Sequence, residues 1–593
     1  MKYEIYKTSG EFVPLDWQFA DMVVRRSEGD GDDDLRLLTA MALSAVRHSH
    51  SCLDLVAWSS RPTGYDDALP SPLSPEDWLK LAERHPSAIS QDASSAEPLI
   101  LDAEHKLFYL NRYRRYEESI ANAIRSRITT NKSTTPFPQQ LVDDIRATCR
   151  YFTKSFEEDR QQQAVATAVT SDFTIITGGP GTGKTTVLTV ILALELQRNP
   201  ECRITLCAPT GKAAARMKES IARELASDGS LAIENDTVRQ SLAALVPQTL
   251  HAALGISPET GIAYRNRQNP LETELVVVDE CSMSSLELVH QLLEALPPTA
   301  RLILLGDQNQ LASVESGVVF AELCDCESLK SHACRLMENH RSKTNQPLCD
   351  FVNQMILEGQ EKLSDTMDGM LQNLYNTQDG NQFQTIRLRH DRKRQDALKA
   401  ALKDLLAKIS TPSIDFHRWN APHSIEEAFA YSLQFKILCA VREGDYGVMT
   451  INSLMRDLLN MEGPYPDGLP LLVTQNDPVT GLRNGDIGVC FQGNVHFPVA
   501  DGPRPFRSFA PVQLPPHEDA FAMTIHKSQG SDYPVVLMVL PDHDNPIMTR
   551  ELVYTGITRT KKSFFLIAEP DSTILQTAIL RKTERWSGLK YLL

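Results

Sequence analysis

Between Phe173 and Leu305, short runs of aliphatic and β-branched residues alternate with helical stretches: FTIIT, RITLCAP, ELVVVDE and RLILLGD. Strands that are apolar at nearly every position have no solvent face, so they belong to a parallel sheet covered on both sides, which predicts an α/β domain of βαβ units. A second strand-rich block opens at QFKILCAV and closes at KKSFFLIAE, predicting a second α/β domain. Within it, roughly 465–516, a stretch rich in Gly, Pro and Asn predicts the hairpins of a small inserted β-barrel. The region 346–430 is helical and charged, with little usable periodicity. Nearer the N-terminus, Leu15 to Trp58 is mostly helical and interrupted by the acidic run Asp30 to Asp34; a Pro/Ser/Gly-rich connector follows from Pro62 to Pro75. LILDAEHKLFYL then predicts a hairpin turning at Asp102 to Lys106, followed by a charged helix on which Arg112, Arg114 and Arg115 are expected as a solvated start. STTPFP, Ser133 to Pro138, has the composition of a linker.

A chain of 593 residues with 42% apolar residues is long enough for three or four packed domains. Its net charge of −16 excludes a basic coat that holds nucleic acid by bulk electrostatics, so any polyanion must be met locally. The first 120 residues hold 13 Lys/Arg against 21 Asp/Glu, which makes that region a poor phosphate-binding face. Eleven cysteines without a C-x-x-C pair point to reduced thiols. MKYEIYKTSGEFVPLDWQFA lacks the basic start and apolar run of a secretion signal, and no run approaches the ~18 apolar residues of a membrane span, so a cytoplasmic protein is expected.

The strongest chemical signal is FTIITGGPGTGKTTVLTVIL. A β-rich run enters Gly178, Gly179, Pro180, Gly181, Thr182, Gly183, Lys184 and Thr185, and a helical run leaves it, which is the strand–loop–helix setting a P-loop requires. Glycines let backbone N–H groups approach phosphate oxygens, and the helix N-terminus adds its positive dipole end. Lys184 is expected on the β- and γ-phosphates of ATP and Thr185 on Mg²⁺, while Thr182 and Thr186 have a plainer reading as loop and helix-start residues. About 95 residues on, LVVVDECSM ends a buried strand in Asp279 and Glu280. Adjacent carboxylates are costly there unless a cation and a reacting water use them, so Asp279 is expected to complete the Mg²⁺ shell and Glu280 to orient or deprotonate the attacking water. In LLGDQNQLASVESG, Asp307 and Gln310 fall at a strand tip, where Gln310 is placed to report the γ-phosphate by hydrogen bonding. Gln161, in DRQQQAVATAV, is either a reader of the adenine edge or part of a polar helix face with Gln162 and Gln163.

Gln161, GGPGTGKTT, APTGKAAARM, TLHAALG, VVVDECSM, LLGDQNQLASVESG, AMTIHKSQGSDY and RELVYTGITRT occur in the order of superfamily-one helicase motifs. The wording resembles the RecD family, the 5′-to-3′ helicase subunits of bacterial exodeoxyribonuclease V, over about 155–345 and 430–593. The resemblance implies an α/β fold of two RecA-like motor lobes, at 131–345 and 346–593, preceded by a small helical partner-docking domain at 1–130 and carrying an SH3-like barrel at about 465–516. It implies ATP and Mg²⁺ as cofactors, single-stranded DNA across both lobes, and RecB-like and RecC-like subunits as partners. Arg341 and Arg559 match the two arginines that reach the γ-phosphate from the second lobe, Ser528, Gln529 and Gly530 match the loop between DNA and nucleotide, and Asp532 matches the carboxylate expected near the ribose. Thr210, Lys212, His251, Thr524, His526 and Lys527 match DNA-facing positions, although His251 and His526 also suit helix packing.

Two departures stand out. Arg341 is flanked by His340 and Ser342 where the family commonly has aromatics, and Asp532 stands where a Glu is usual, so weaker nucleotide affinity is expected. Cys324, Cys326, His332 and Cys334 crowd within eleven residues, but C-x-C-x₅-H-x-C is not a standard finger, and buried or incidental cysteines are the expected reading. Two rivals to a RecBCD-like motor subunit remain: a free-standing RecD-like helicase, and a regulatory NTPase that gates binding without translocation.

Overall fold

The computed structural model describes residues 3–8, 10–27, 32–60, 71–130, 137–226, 228–338, 346–357, 383–387, 394–410, 415–499, 505–568 and 573–593. Arg341, with its neighbours His340 and Ser342, lies outside the described residues.

The N-terminal part is helical, with helices at Pro14–Arg26 and Asp33–Arg47 packed on a small sheet. The acidic run that interrupts the helical pattern has a local use: Asp32 accepts from the amides of Asp34 and Leu35 and caps the second helix. The sheet comprises β1 (Leu53–Asp54), β2 (Ile89–Ser90), β3 (Leu99–Asp102) and β4 (Leu107–Leu110), in the order β1-β4-β3-β2. β3 and β4 form the expected antiparallel hairpin. The helix Asn111–Thr130 follows, and its start is not simply solvated: Arg112 pairs with Glu287, Arg114 pairs with Asp102 and Glu118, and Arg115 donates to the carbonyls of Ala93 and Ser95.

The four apolar runs are parallel strands, β5 (Phe173–Gly178), β6 (Ile204–Ala208), β8 (Leu275–Val278) and β9 (Arg301–Gly306). With β7 (Gln248–Thr249) and β10 (Ala333–Leu336) they form an all-parallel sheet in the order β10-β5-β9-β8-β6-β7. The absence of a polar face has the expected cause. Ile303, Leu305 and Val277 enter the core on one side, and Leu302, Leu304, Val276 and Val278 enter the core on the other. Ile120, Ala121 and Ile124 belong to the second of these cores, so the helix Asn111–Thr130 packs with the first lobe although it lies before residue 131.

The second lobe is an all-parallel sheet of β11 (Phe383–Arg387), β12 (Phe435–Cys439), β18 (Ala522–Thr524), β19 (Tyr533–Val539) and β20 (Thr560–Ala568), ordered β11-β20-β19-β12-β18. The Gly/Pro/Asn-rich block forms β13 (Pro470–Val473), β14 (Ile487–Phe491), β15 (Asn494–Pro498), β16 (Phe506–Phe509) and β17 (His517–Asp519). These pair antiparallel in the order β16-β15-β14-β13-β17, and among the described residues no pairing joins β16 to β17 to close a barrel. One face of this sheet, through Leu471, Val473, Cys490 and Phe497, is continuous with the core of the second lobe.

The last residues leave that lobe. Leu589 is buried in the first-lobe core, and Trp586 stacks on His50 of the N-terminal part at 4.0 Å between ring centroids. Gly588 approaches so closely that a Cβ there would lie 1.9 Å from the Tyr109 hydroxyl. Among the described residues no helix is long and apolar enough to cross a membrane, and the eleven cysteines are free thiols.

Candidate functional site

β5 delivers the chain into the glycine loop, and the helix Lys184–Arg198 leaves it. Gly181 and Gly183 both have φ +84°, and a Cβ on Gly183 would sit 2.1 Å from the Gln161 amide nitrogen, so glycine is required by conformation and space alike. Gln161 Nε2 donates to the Thr182 carbonyl at 2.8 Å and braces the loop. Gln161 and Thr182 also line a cavity of about 240 Å³ with Tyr151, Leu336 and Met337. Thr182 Oγ1 donates to the Gly179 carbonyl and Thr186 Oγ1 to Glu224, so both hydroxyls serve the local framework. Lys184 Nζ rests on the carbonyls of Gly178 and Gly179.

A cavity of about 300 Å³ lies against this loop, and both lobes build it. The first lobe contributes Gly179, Pro180, Gly181, Gly183, Lys184, Thr185, Thr186, Asp279, Glu280 and Gln310; the second contributes Gly530, Asp532 and Arg559. Asp279 lies just beyond the end of β8, where burial, reinforced by the Glu280 charge, pushes its carboxyl above the usual range while Lys184 pulls it down. Glu280 has φ +53°, a left-handed conformation that costs a residue bearing a Cβ about 1–2 kcal/mol. Its Oε2 is buried with no hydrogen-bond partner among the described residues. Strain and an orphan acceptor at one residue mark a site held for something other than folding. Thr185 and Asp279 give a hydroxyl and a carboxylate on one wall, an oxygen donor set that suits a hard divalent cation such as Mg²⁺.

The lobes are tied together behind this cavity. Asp307, fully buried, accepts from Gln310 Nε2 at 3.0 Å and from the Tyr554 hydroxyl of the second lobe at 2.7 Å. Thr555 Oγ1 accepts from the Leu311 amide, and Gln529 Nε2 donates to the Leu311 carbonyl. Arg559, at the end of the helix Arg550–Thr558, is held by the carbonyls of Thr555 and Ser531 with its guanidinium on the cavity wall. Asp532 pairs with Arg216 of the first lobe and with Lys561 at 3.3 Å.

The six DNA-facing candidates lie at or just beyond the C-terminal ends of strands, and none lines the phosphate cavity. Thr210 Oγ1 accepts from the Ala213 amide and caps the helix Gly211–Glu224, a structural duty the motif did not disclose. Lys212 follows it, its amine lowered to about 8 by burial and the neighbouring Arg216 charge. A Cβ on Gly211 would meet Arg483 Nη1 at 2.9 Å, so this helix start faces the connection between β13 and β14 of the inserted block. Thr524 Oγ1 accepts from the Lys527 amide, and Lys527 Nζ pairs with Glu518 of β17 at 2.7 Å. His526 is held below the usual histidine range by burial and by Arg585. His251 is exposed on a separate short helix, Leu250–Leu254.

Comparison with known proteins places these elements in one lineage. Residues 8–108 match the RecBCD enzyme subunit RecD N-terminal domain, residues 161–316 an AAA domain, and residues 519–567 a UvrD-like helicase C-terminal domain. The RecBCD enzyme subunit RecD of Mycobacterium tuberculosis is 34% identical over 587 residues, covering 95% of this chain and 92% of the relative. The chain belongs to the RecD family. A second RecD, from Haemophilus influenzae, is 36% identical over 496 residues, covering 75% of this chain and 74% of its own. The ATP-dependent RecD2 DNA helicase of Deinococcus radiodurans is 24% identical over 557 residues, 91% of this chain and 66% of that relative. Among solved structures, a Pif1 helicase at forked DNA aligns over 72% of this chain and 94% of its own with a TM-score of 0.39 and 16% identity.

In this RecD-family chain one wall of the cavity had no role assigned from sequence, although its first three residues fall within the motif APTGKAAARM. Ala213, Arg216, Met217, Ser220, Arg223 and Glu224 all line it, at the three- and four-residue spacings of one face of the helix Gly211–Glu224. That periodicity was the available signal, but a face needs a known neighbour before it can be assigned. Tyr554 was quoted only as part of its motif. The cysteine cluster does not gather into a metal site: among the described residues no three His, Cys, Asp or Glu side chains could hold an ion, and His332 Nδ1 contacts the Phe173 carbonyl instead.

Proposed function

We propose that the chain is an ATP-dependent 5′-to-3′ single-stranded DNA translocase and helicase. It acts in the cytoplasm beside RecB-like and RecC-like subunits in a RecBCD-like exodeoxyribonuclease V, in double-strand break repair and homologous recombination. The observation that carries this reading is the single cavity to which one lobe brings Lys184, Asp279, Glu280 and Gln310 and the other brings Gly530, Asp532 and Arg559. A site split in this way changes shape when the lobes move, which couples hydrolysis to motion along a strand.

The backbone amides of Gly179 to Gly183 cradle the phosphates, and Lys184 exchanges its carbonyl partners for β- and γ-phosphate oxygens. Thr185 and Asp279 hold Mg²⁺, which when bound neutralises charge on the β- and γ-phosphates. Glu280 takes a proton from the attacking water, for which its orphan Oε2 is available. Arg559, with Arg341 as its expected companion, neutralises charge on the transferred phosphoryl group from the second lobe. Gln161 and the cavity beside it receive the adenine. Thr210, Lys212, His251, Thr524, His526 and Lys527 meet DNA along the strand ends, and the inserted β sheet flanks that path. Hydroxyls, imidazoles and two lysines suit a chain whose overall charge repels a polyanion.

The match of residues 8–108 to the RecD N-terminal domain favours the partner-bound reading over the free-standing one. The test is ATP hydrolysis with and without single-stranded DNA by the wild type and by Lys184→Gln. DNA-stimulated hydrolysis that the substitution abolishes, with folding and partner docking intact, supports the reading; a Lys184→Gln chain that still hydrolyses ATP contradicts it.

A further inference from the structure

Gln310 is oriented by its neighbours. A carboxylate offers only lone pairs, so the group that meets Asp307 Oδ2 at 3.0 Å must be the amide nitrogen of Gln310, not its oxygen. Asp307 is itself fixed: Oδ1 accepts from the Asn309 amide at 3.1 Å, and Oδ2 also accepts the Tyr554 hydroxyl at 2.7 Å. The consequence falls on Gln310 Oε1, which is buried and has no hydrogen-bond partner among the described residues. Gln310 and Glu280 line the same cavity, and Glu280 Oε2 is likewise buried and unpartnered. Two residues of this wall therefore each keep a buried acceptor oxygen without a donor, both closed to solvent here.

Two acceptors repel a phosphate oxygen, and they suit a molecule with two O–H donors, which is water. We infer that Tyr554 is a positioning residue. Through Asp307 it turns Gln310 so that Oε1 and Glu280 Oε2 together hold the water that attacks ATP. The inference rests on the ATPase reading of the site. In the step, a water oxygen bonds to the γ-phosphorus, and the bond from phosphorus to the β–γ bridging oxygen breaks, leaving its electron pair on ADP. One water proton passes to Glu280; the other stays on the phosphate oxygen it came with, having been donated to Gln310 Oε1 on approach. Gln310 is thus an acceptor for the nucleophile, not a donor that senses the γ-phosphate.

The geometry also says when this happens. Tyr554 comes from the second lobe, on the helix whose Thr555 holds the Leu311 amide and whose end carries Arg559. Docking of that one helix against the first lobe orients the water and brings in the arginine together.

The experiment is steady-state and single-turnover ATP hydrolysis by the full chain with single-stranded DNA, alongside equilibrium binding of a fluorescent ATP analogue. Tyr554→Phe removes one hydroxyl and keeps the ring, and should lower kcat about tenfold while KM and analogue affinity stay within about twofold. In a Gln310→Ala background the same substitution should have no further effect, because Tyr554 acts through Gln310. Asp307→Asn, which can offer Gln310 an N–H and so turn its amide over, should match Tyr554→Phe. An unchanged kcat in Tyr554→Phe, or a second full loss in the Gln310→Ala background, overturns the inference while leaving the ATPase reading intact. A wild type that binds the analogue but does not hydrolyse ATP with DNA and partners present overturns that reading, and this inference with it.

Discussion

Arg216 of the first lobe and Asp532 of the second form an ion pair across the nucleotide cleft, and Lys561 stands 3.3 Å from the same carboxylate. The Asp532 side chain is only 9% exposed, so the pair is shielded more than a surface bridge. Removing the carboxylate leaves two cations facing each other where the lobes must close. Asp532→Asn should raise KM for ATP about fivefold with little change in kcat, corresponding to a coupling of about 1 kcal/mol. Steady-state kinetics of Asp532→Asn, Arg216→Ala and the double variant check this: the two losses should not add, and full additivity contradicts a cross-cleft pair.

Arg559 is buried and reaches the cavity wall from the second lobe. Because its charge is needed most when the phosphoryl group transfers, Arg559→Ala should cut kcat on the order of 10³-fold and ATP affinity far less. Parallel hydrolysis and nucleotide-binding measurements separate these; equal losses in both mean a ground-state role.

These two sites differ in how far the sequence discloses them. The P-loop, Asp279 and Glu280 are legible because each motif is contiguous and ends a strand whose unbroken apolar pattern fixes its place in a parallel sheet. Arg216 is not, because its role depends on Asp532, 316 positions away. Thr210 carries a second duty that its motif does not disclose, since the hydroxyl expected at DNA also caps its own helix. The C-terminal segment, placed in the second lobe by sequence order, docks instead on the N-terminal part and the first lobe, through contacts such as Trp586 on His50 that no local pattern encodes. The inserted block yields its strands and antiparallel pairing to its turn residues, whereas closure depends on long-range register, and β16 and β17 remain unpaired with each other.

That C-terminal docking should depend on pH. The Ser587 hydroxyl lies 2.9 Å from Glu117 Oε1 and 3.0 Å from Glu322 Oε2, and having one hydrogen it can donate to only one of them. Burial, followed by the nearby Glu117, pushes Glu322 up to about 8. The folded state therefore retains a proton that the unfolded chain releases near 4.5, so docking loses stability as pH rises from about 4.5 to about 8 and levels off above. His50 opposes this below about pH 6.5, because burial lowers its folded imidazole to about 3 while the unfolded chain still takes up that proton, so the fall is cleanest above 6.5. The hydrogen-exchange protection of residues 585–593, after correction for the base-catalysed intrinsic rate, should fall from about pH 6.5 to about 8.5 in the wild type, and Glu322→Gln should lessen that fall, with Glu117, also raised by burial, keeping the remainder; wild-type protection that does not fall contradicts the assignment.

Lys527 is paired with Glu518, which also holds Arg442 at 2.8 Å. If DNA draws Lys527 from that carboxylate, Lys527→Ala should weaken single-strand binding similarly for all sequences and reduce the salt slope by about 0.7. Glu518→Gln should tighten binding, since it frees two cations at no cost to the DNA. Fluorescence anisotropy over a salt series reads both, and an unchanged slope in Lys527→Ala removes it from the DNA path.

The central claim is an ATP-driven motor with a direction. The most direct test is ATP- and Mg²⁺-dependent unwinding of two duplexes, one with a 5′ single-stranded tail and one with a 3′ tail, by the chain alone and with its co-purified subunits, counting only the activity that Lys184→Gln in this chain removes. Opening of the 5′-tailed duplex alone, lost in Lys184→Gln, is the expected result. Opening of only the 3′-tailed duplex, or of neither in both preparations, contradicts it.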